Sequence, residues 1–263
     1  MKKSVTLNST LLYVAAFLLT TIIHELAHAL VGAMNNSSPV IHHNYVEHLA
    51  TEHLTVGQQI LIAMAGPVIS LIQGLFVGYL YLRSSREKIT DLFLLWTAVL
   101  GFNNFLGYLM TGPFFGNGDI GRVYNILDTA AWIQLGLAVA AAGILLFIAY
   151  KLTVPFLRFS YKEDWVKDGK SRKNFSFHVL ILPWIIGSVI VTVLYLPIIA
   201  IVSIIYPIMS GMVFIFPWQN AVNPENVKLS GNNALGRLSP VALGLSIVLA
   251  VVFRFVLAPG ISI

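Results

Sequence analysis

From Thr10 to Met34 the chain is apolar apart from the hydroxyl groups of Thr10, Tyr13, Thr20 and Thr21, until His24, Glu25 and His28 appear within little more than one helical turn. The run is long enough to cross a bilayer as a helix. An ionisable group in the middle of such a helix costs about 2.5–3.5 kcal/mol on insertion scales, so three together need a compensating interaction. The spacing of four puts His24 and His28 on one helical face, where both imidazoles can reach a single zinc ion while Glu25 beside them serves as general base. A structural zinc site returns about 10–16 kcal/mol of apparent binding free energy, enough to offset the burial. The alternative is a histidine and glutamate pair simply buried against a neighbouring helix.

Composition agrees with a bilayer. Hydrophobic residues make up 57% of the 263, only 10% are charged, and the mean hydropathy is +0.81. A soluble domain carries about 25% charge, so the expected class is an integral membrane protein. There is no cysteine, which removes thiolate ligands, disulfides and a cysteine nucleophile from consideration. The net charge of +5 is read as loops obeying the positive-inside rule, with no nucleic-acid partner. Lys2 and Lys3 ahead of an apolar run imitate a signal peptide, but the run is longer than a signal core and carries the histidines, so it is read as the first span.

The expected fold is all-α and polytopic, with six or seven transmembrane helices. Residues 1–150 are read as a four-span core carrying the metal chemistry, 151–176 as a basic cytoplasmic loop, and 177–263 as a C-terminal membrane segment of two or three spans. Asn35 to Gln59 is polar, with His42, His43, His48, His53, Glu47 and Glu52 and no lysine or arginine. It is read as a short amphipathic or re-entrant segment at the membrane surface with solvated histidines, although its Glu-His pairs also invite a metal reading.

Ile60 to Leu82 is the second span, where Ala65-Gly66-Pro67 permits close helix approach and a bend. Leu92 to Phe115 is the third, and its Asn103 and Asn104 require hydrogen-bond partners at membrane depth. Gly112, Pro113, Gly116, Gly118 and Gly121 then break the helix around Asp119. A carboxylate flanked by glycines can approach a metal closely, or it can be a plain helix cap. Trp132 to Tyr150 is the fourth span. Phe177 to Trp218 is read as two short spans turning near Pro197, or one kinked span with a re-entrant piece, and Pro240 to Leu257 as the last span.

Taken together, these residues resemble the site-2 protease family of intramembrane zinc metalloproteases, over about residues 10 to 125. His24, Glu25 and His28 match the family's His-Glu-x-x-His motif. Asp119-Ile120-Gly121-Arg122 resembles its later Leu-Asp-Gly motif, with Ile120 where glycine is usual. Gly66-Pro67 resembles its Gly-Pro-x-x-Asn element, with Ser70 where asparagine is expected, and Asn103 or Asn104 lies where the family often has an asparagine upstream of the aspartate. The resemblance implies zinc held by His24, His28 and Asp119, with Glu25 as base and Asn103 or Asn104 steadying substrate backbone or oxyanion. Its substrates would be membrane-embedded helices that unwind locally. Glu47, Glu52, His48 and His53 compete as third ligand. The positive-inside rule puts the amino terminus in the cytoplasm and the motifs toward the outer face of the cell membrane, opposite to the family's usual opening. A zinc transporter or sensor is the alternative function, but it calls for ionisable residues along successive spans, and only Glu25 and Asp119 qualify.

Overall fold

A computed structural model describes residues 2–84, 87–196, 202–224, 227–229 and 231–263, and for 202–205 the backbone alone. The chain forms helices α1 (Lys3–Met34), α2 (Val56–Arg83), α3 (Ile89–Thr111), α4 (Asp119–Ile126) and α5 (Ala131–Leu157). Then come α6 (Gly169–Leu194), α7 (Val202–Met209), α8 (Ile215–Asn220) and α9 (Pro240–Leu257). Among the described residues six of these, α1, α2, α3, α5, α6 and α9, are long and apolar enough to cross a membrane. The all-α polytopic architecture therefore holds, with six candidate spans.

Local sequence sets several ends. Thr55 and Gln58 form a reciprocal capping box that starts α2 four residues before the expected Ile60. Gly112 and Pro113 stop α3 at Thr111, before the expected Phe115, because proline has no amide hydrogen to continue the ladder. Ser239 accepts from the Ala242 amide ahead of Pro240, a pairing suited to a helix start. The basic loop expected over 151–176 is shorter than its charge suggests. Helix α5 continues through Lys151 to Leu157, and Asp168 caps α6 through the Ser171 amide at 2.7 Å. Arg172 is buried there, donating to the carbonyls of Val166, Ala221 and Val222 at 2.9–3.1 Å, so its charge does not require solvent. Among the described residues the 177–218 stretch supplies one spanning helix, α6, followed by the short α7 and α8; the turn expected near Pro197 lies outside the described residues.

Helix α1 is the axis of the bundle. Every residue from Leu12 to Leu18 is buried, so this part of the helix has no lipid-facing side. It packs against α2, α3, α6 and α9, drawn from both halves of the chain. Tyr13 meets Trp96 of α3 edge to face at 5.1 Å, and Trp96 donates to Ser9 at 3.0 Å. This aromatic knot fixes the angle between α1 and α3, and so the position of the histidines, which begin about three turns further on.

The Asn35–Gln59 segment differs from expectation. It holds strands β1 (Pro39–Ile41) and β2 (Val46–His48), which join β3 (Ile261–Ser262) in an antiparallel sheet of order β2-β1-β3. Its histidines are not all solvated. His43 is buried against Phe253 and Tyr195, and His48 is half-buried with its ring on Ser37 at 2.7 Å. Backbone pairing with a strand from the far end of the chain gives the segment a tertiary role that its polarity does not reveal.

The two ends of the bundle differ in charge. Lys2 with Asn174, Asn8 with Arg237 and Ser239, and Asn220 with Thr153 gather the amino terminus and the basic segments at one end. The hairpin, the 112–118 turn and the carboxyl-terminal strand lie at the other.

Candidate metal centre

The face of α1 that carries His24 and His28 turns toward α2, and the two helices touch there because position 66 has no side chain. A Cβ on Gly66 would lie 2.6 Å from His24 Nε2 and closer still to His28 Nε2. From the other side comes Asp119, the first residue of α4, presented by the turn after α3. Gly121 lets that turn close, since a Cβ there would overlap the Phe115 backbone and approach the Gly112 carbonyl to 2.9 Å. The glycines around Asp119 thus have a steric reason.

The Nε2 atoms of His24 and His28 stand 3.1 Å apart, and Asp119 Oδ2 lies 3.0 Å from the first and 3.2 Å from the second. The remaining ring nitrogens settle what these atoms are. His28 Nδ1 sits 2.6 Å from the Ile62 carbonyl, which can only accept, so Nδ1 carries the hydrogen. His24 Nδ1 sits 3.1 Å from Ser70 Oγ, whose own hydrogen goes to the Gly66 carbonyl at 3.0 Å, so here too Nδ1 donates. With both rings neutral, Nε2 of each is a lone pair. Two nitrogen lone pairs and a carboxylate oxygen then converge on one point, which is repulsive without a cation between them. A tetrahedral ion with arms of about 2.0–2.1 Å has ligand–ligand edges of about 3.4 Å, close to this triangle. The donor set fits a small cation that accepts nitrogen and oxygen ligands. His24, His28 and Asp119 form the one such cluster among the described residues.

Burial raises the Asp119 carboxyl, but a positive charge at this point, such as a protonated His28 imidazole supplies, outweighs it and holds the group below the usual carboxylate range. The hairpin histidines behave differently. Burial draws both His43 and His48 down, assisted at His43 by Arg254 and at His48 by His28 and Arg122. Glu47, Glu52 and His53 are exposed, and none of them joins the cluster.

Beside the triangle is a cavity of about 80 Å³ lined by Thr21, His24, Glu25, Asn44, Asn104, Tyr108, Tyr195 and Tyr206. Glu25 is buried on its wall. Tyr108 lies parallel to the His24 ring at 5.2 Å and fixes its plane. Of the two asparagines, Asn104 lines the cavity, whereas Asn103 turns away and donates to the Ser210 carbonyl at 2.9 Å. Sequence reasoning missed Ser70, Tyr108, Tyr195 and Tyr206. Ser70 was visible only as a departure from the Gly-Pro-x-x-Asn pattern; the tyrosines lie at helix positions that otherwise read as packing. Compared with protein-family models, curated proteins and solved structures, the chain finds no match in any of the three.

Proposed function

We propose that this chain is an intramembrane zinc metalloprotease of the site-2 type, residing in the cell membrane and hydrolysing peptide bonds of membrane-embedded substrates. The observation that carries the proposal is the tautomer-locked pair of Nε2 lone pairs meeting the Asp119 carboxylate beside a buried glutamate. His24, His28 and Asp119 would hold the ion, and Ser70 and the Ile62 carbonyl keep both rings turned toward it. Zinc bound there supplies Lewis acidity, which brings the pKa of a water toward neutrality.

The chain's own residues do the rest. Glu25 takes the proton of the attacking water as its oxygen adds to the peptide carbonyl carbon, and returns that proton to the amine nitrogen as the carbon–nitrogen bond breaks. Asn104 offers its amide to the substrate backbone in the same cavity. The cavity is small, so a helical substrate must unwind to present one peptide group. A transporter is the weaker reading because the ionisable ligands form one compact cluster rather than a ladder along several helices. The test is reconstitution with a set of transmembrane peptides: cleavage should stop on chelation and return with zinc, and a protein inert with every peptide under both conditions would refute the proposal.

A further inference from the structure

The reaction just proposed needs a hydrogen-bond donor for the substrate carbonyl, and the cavity contains one from a part of the chain outside the family resemblance. Tyr206 belongs to α7, in the segment after α6. Its ring packs on Phe17 of α1 at 5.5 Å, and Asn104 Nδ2 donates to its hydroxyl oxygen at 2.9 Å. Because the tyrosine oxygen accepts there, its hydrogen remains to be donated. Asn104 is buried, and its Oδ1 has no partner. The pair therefore presents to the cavity two donor hydrogens, the Tyr206 O–H and the second Nδ2–H of Asn104, and one acceptor, Asn104 Oδ1. Turning the amide over exchanges the roles but leaves the same count, since one hydrogen is used inside the pair either way.

A peptide group is satisfied by part of that complement, its carbonyl accepting one of the two hydrogens and its N–H donating to the one acceptor. Tyr195, the other phenol on this wall, is less free. Thr21 Oγ1 gives its own hydrogen to the Phe17 carbonyl at 3.1 Å, so the Tyr195 hydroxyl 3.5 Å away must be the donor in that contact. The segment bearing Tyr206 is also held in place. Asn103 donates to the Ser210 carbonyl, Ser188 to the Pro207 carbonyl at 2.7 Å, and Trp184 to the Ile208 carbonyl at 3.1 Å, tying it to α3 and α6.

We infer that Tyr206 is a catalytic residue of this site, donating its hydroxyl hydrogen to the carbonyl oxygen of the substrate peptide while Asn104 Oδ1 receives a backbone N–H. The inference rests on the proteolytic reading and deepens it: the C-terminal half of the chain completes the active site, and the substrate binds there as extended backbone. A buried donor aimed at a developing oxyanion contributes about 10²-fold or more to kcat.

The experiment compares wild type, Tyr206→Phe, Asn104→Ala and the double variant in reconstituted vesicles, with a cleaved transmembrane peptide as probe. Tyr206→Phe should lose about 10²-fold in kcat with KM, zinc content and thermal midpoint unchanged. The double variant should lose no more than the worse single variant, because the two groups act as one unit. A kcat at the wild-type level in Tyr206→Phe, with wild type active and Glu25→Gln dead, overturns this inference alone. A fall in kcat matched by a fall in zinc content or thermal midpoint overturns it as well, assigning Tyr206 a packing role. Absence of cleavage by wild type overturns both this inference and the proteolytic reading.

Discussion

Gly66→Ala should empty the metal centre without touching a ligand. The added methyl would stand 2.6 Å from His24 Nε2 and 2.7 Å from its Cδ2, with His28 Nε2 nearer still. Ordinary carbon–nitrogen contact begins near 3.4 Å, so α1 and α2 must part by about 0.8 Å or more. Metal ligands tolerate errors of about 0.2 Å, and the same parting strains the Nδ1 contacts that hold both rings. Zinc affinity should fall by about 100-fold or more, and overpacking should cost about 1–3 kcal/mol of stability. Gly57→Ala is the control: it lies in the same helix, its Cβ would meet nothing within 4 Å, and the helix should gain up to about 1 kcal/mol. The assay is metal content of the purified variants by elemental analysis, with thermal unfolding alongside. Wild-type zinc in Gly66→Ala, or equal loss in Gly57→Ala, would refute the steric reasoning.

Ser70→Ala removes the acceptor for His24 Nδ1 and should weaken zinc binding about 10- to 100-fold, measured by competition with a chromophoric chelator; unchanged affinity would deny Ser70 its orienting role. For pH, His43 has its pKa lowered in the folded state by burial, below the ordinary 6.5. The unfolded chain then binds the proton more readily, so stability rises with pH through this range and falls on acidification from about 6.5 downward. His43→Phe should flatten that slope in thermal unfolding measured between pH 5 and 7.5, and an unaltered slope would contradict the assignment. For orientation, the chain has no native cysteine, so single cysteines report cleanly. With the basic segments gathered at the end opposite the candidate metal centre, a cysteine at Lys167 should label from the cytoplasm and one at Asn36 from outside; the reverse labelling would invert the protein and leave the proposed chemistry intact.

Much of the architecture was readable because hydrocarbon leaves little choice. Long apolar runs near α1, α2, α3 and α9 had to be helices, and the errors at their ends came from single devices such as the Thr55 capping box and Pro113. The face shared by His24 and His28 follows from helical periodicity, and the density of glycines around Asp119 signalled a tight approach before its reason, the Phe115 backbone beneath Gly121, was visible. The hairpin was not legible. Strands of three residues are too short to show a period of two, and β1 is stabilised by Ile261 and Ser262 from the opposite end of the chain. The tyrosines were hidden for a related reason: in apolar stretches aromatic residues read as packing, and only the assembled bundle shows Tyr195 and Tyr206 beside Glu25.

The most direct test of the central claim separates metal binding from catalysis in one residue. Glu25 lines the cavity beside the proposed metal ligands but is not one of the three converging groups. Purified Glu25→Gln, assayed for zinc content and for cleavage of a transmembrane peptide that wild type cuts, should retain one zinc per chain and lose cleavage by about 10²-fold or more. Full cleavage by Glu25→Gln at full zinc content would contradict the account.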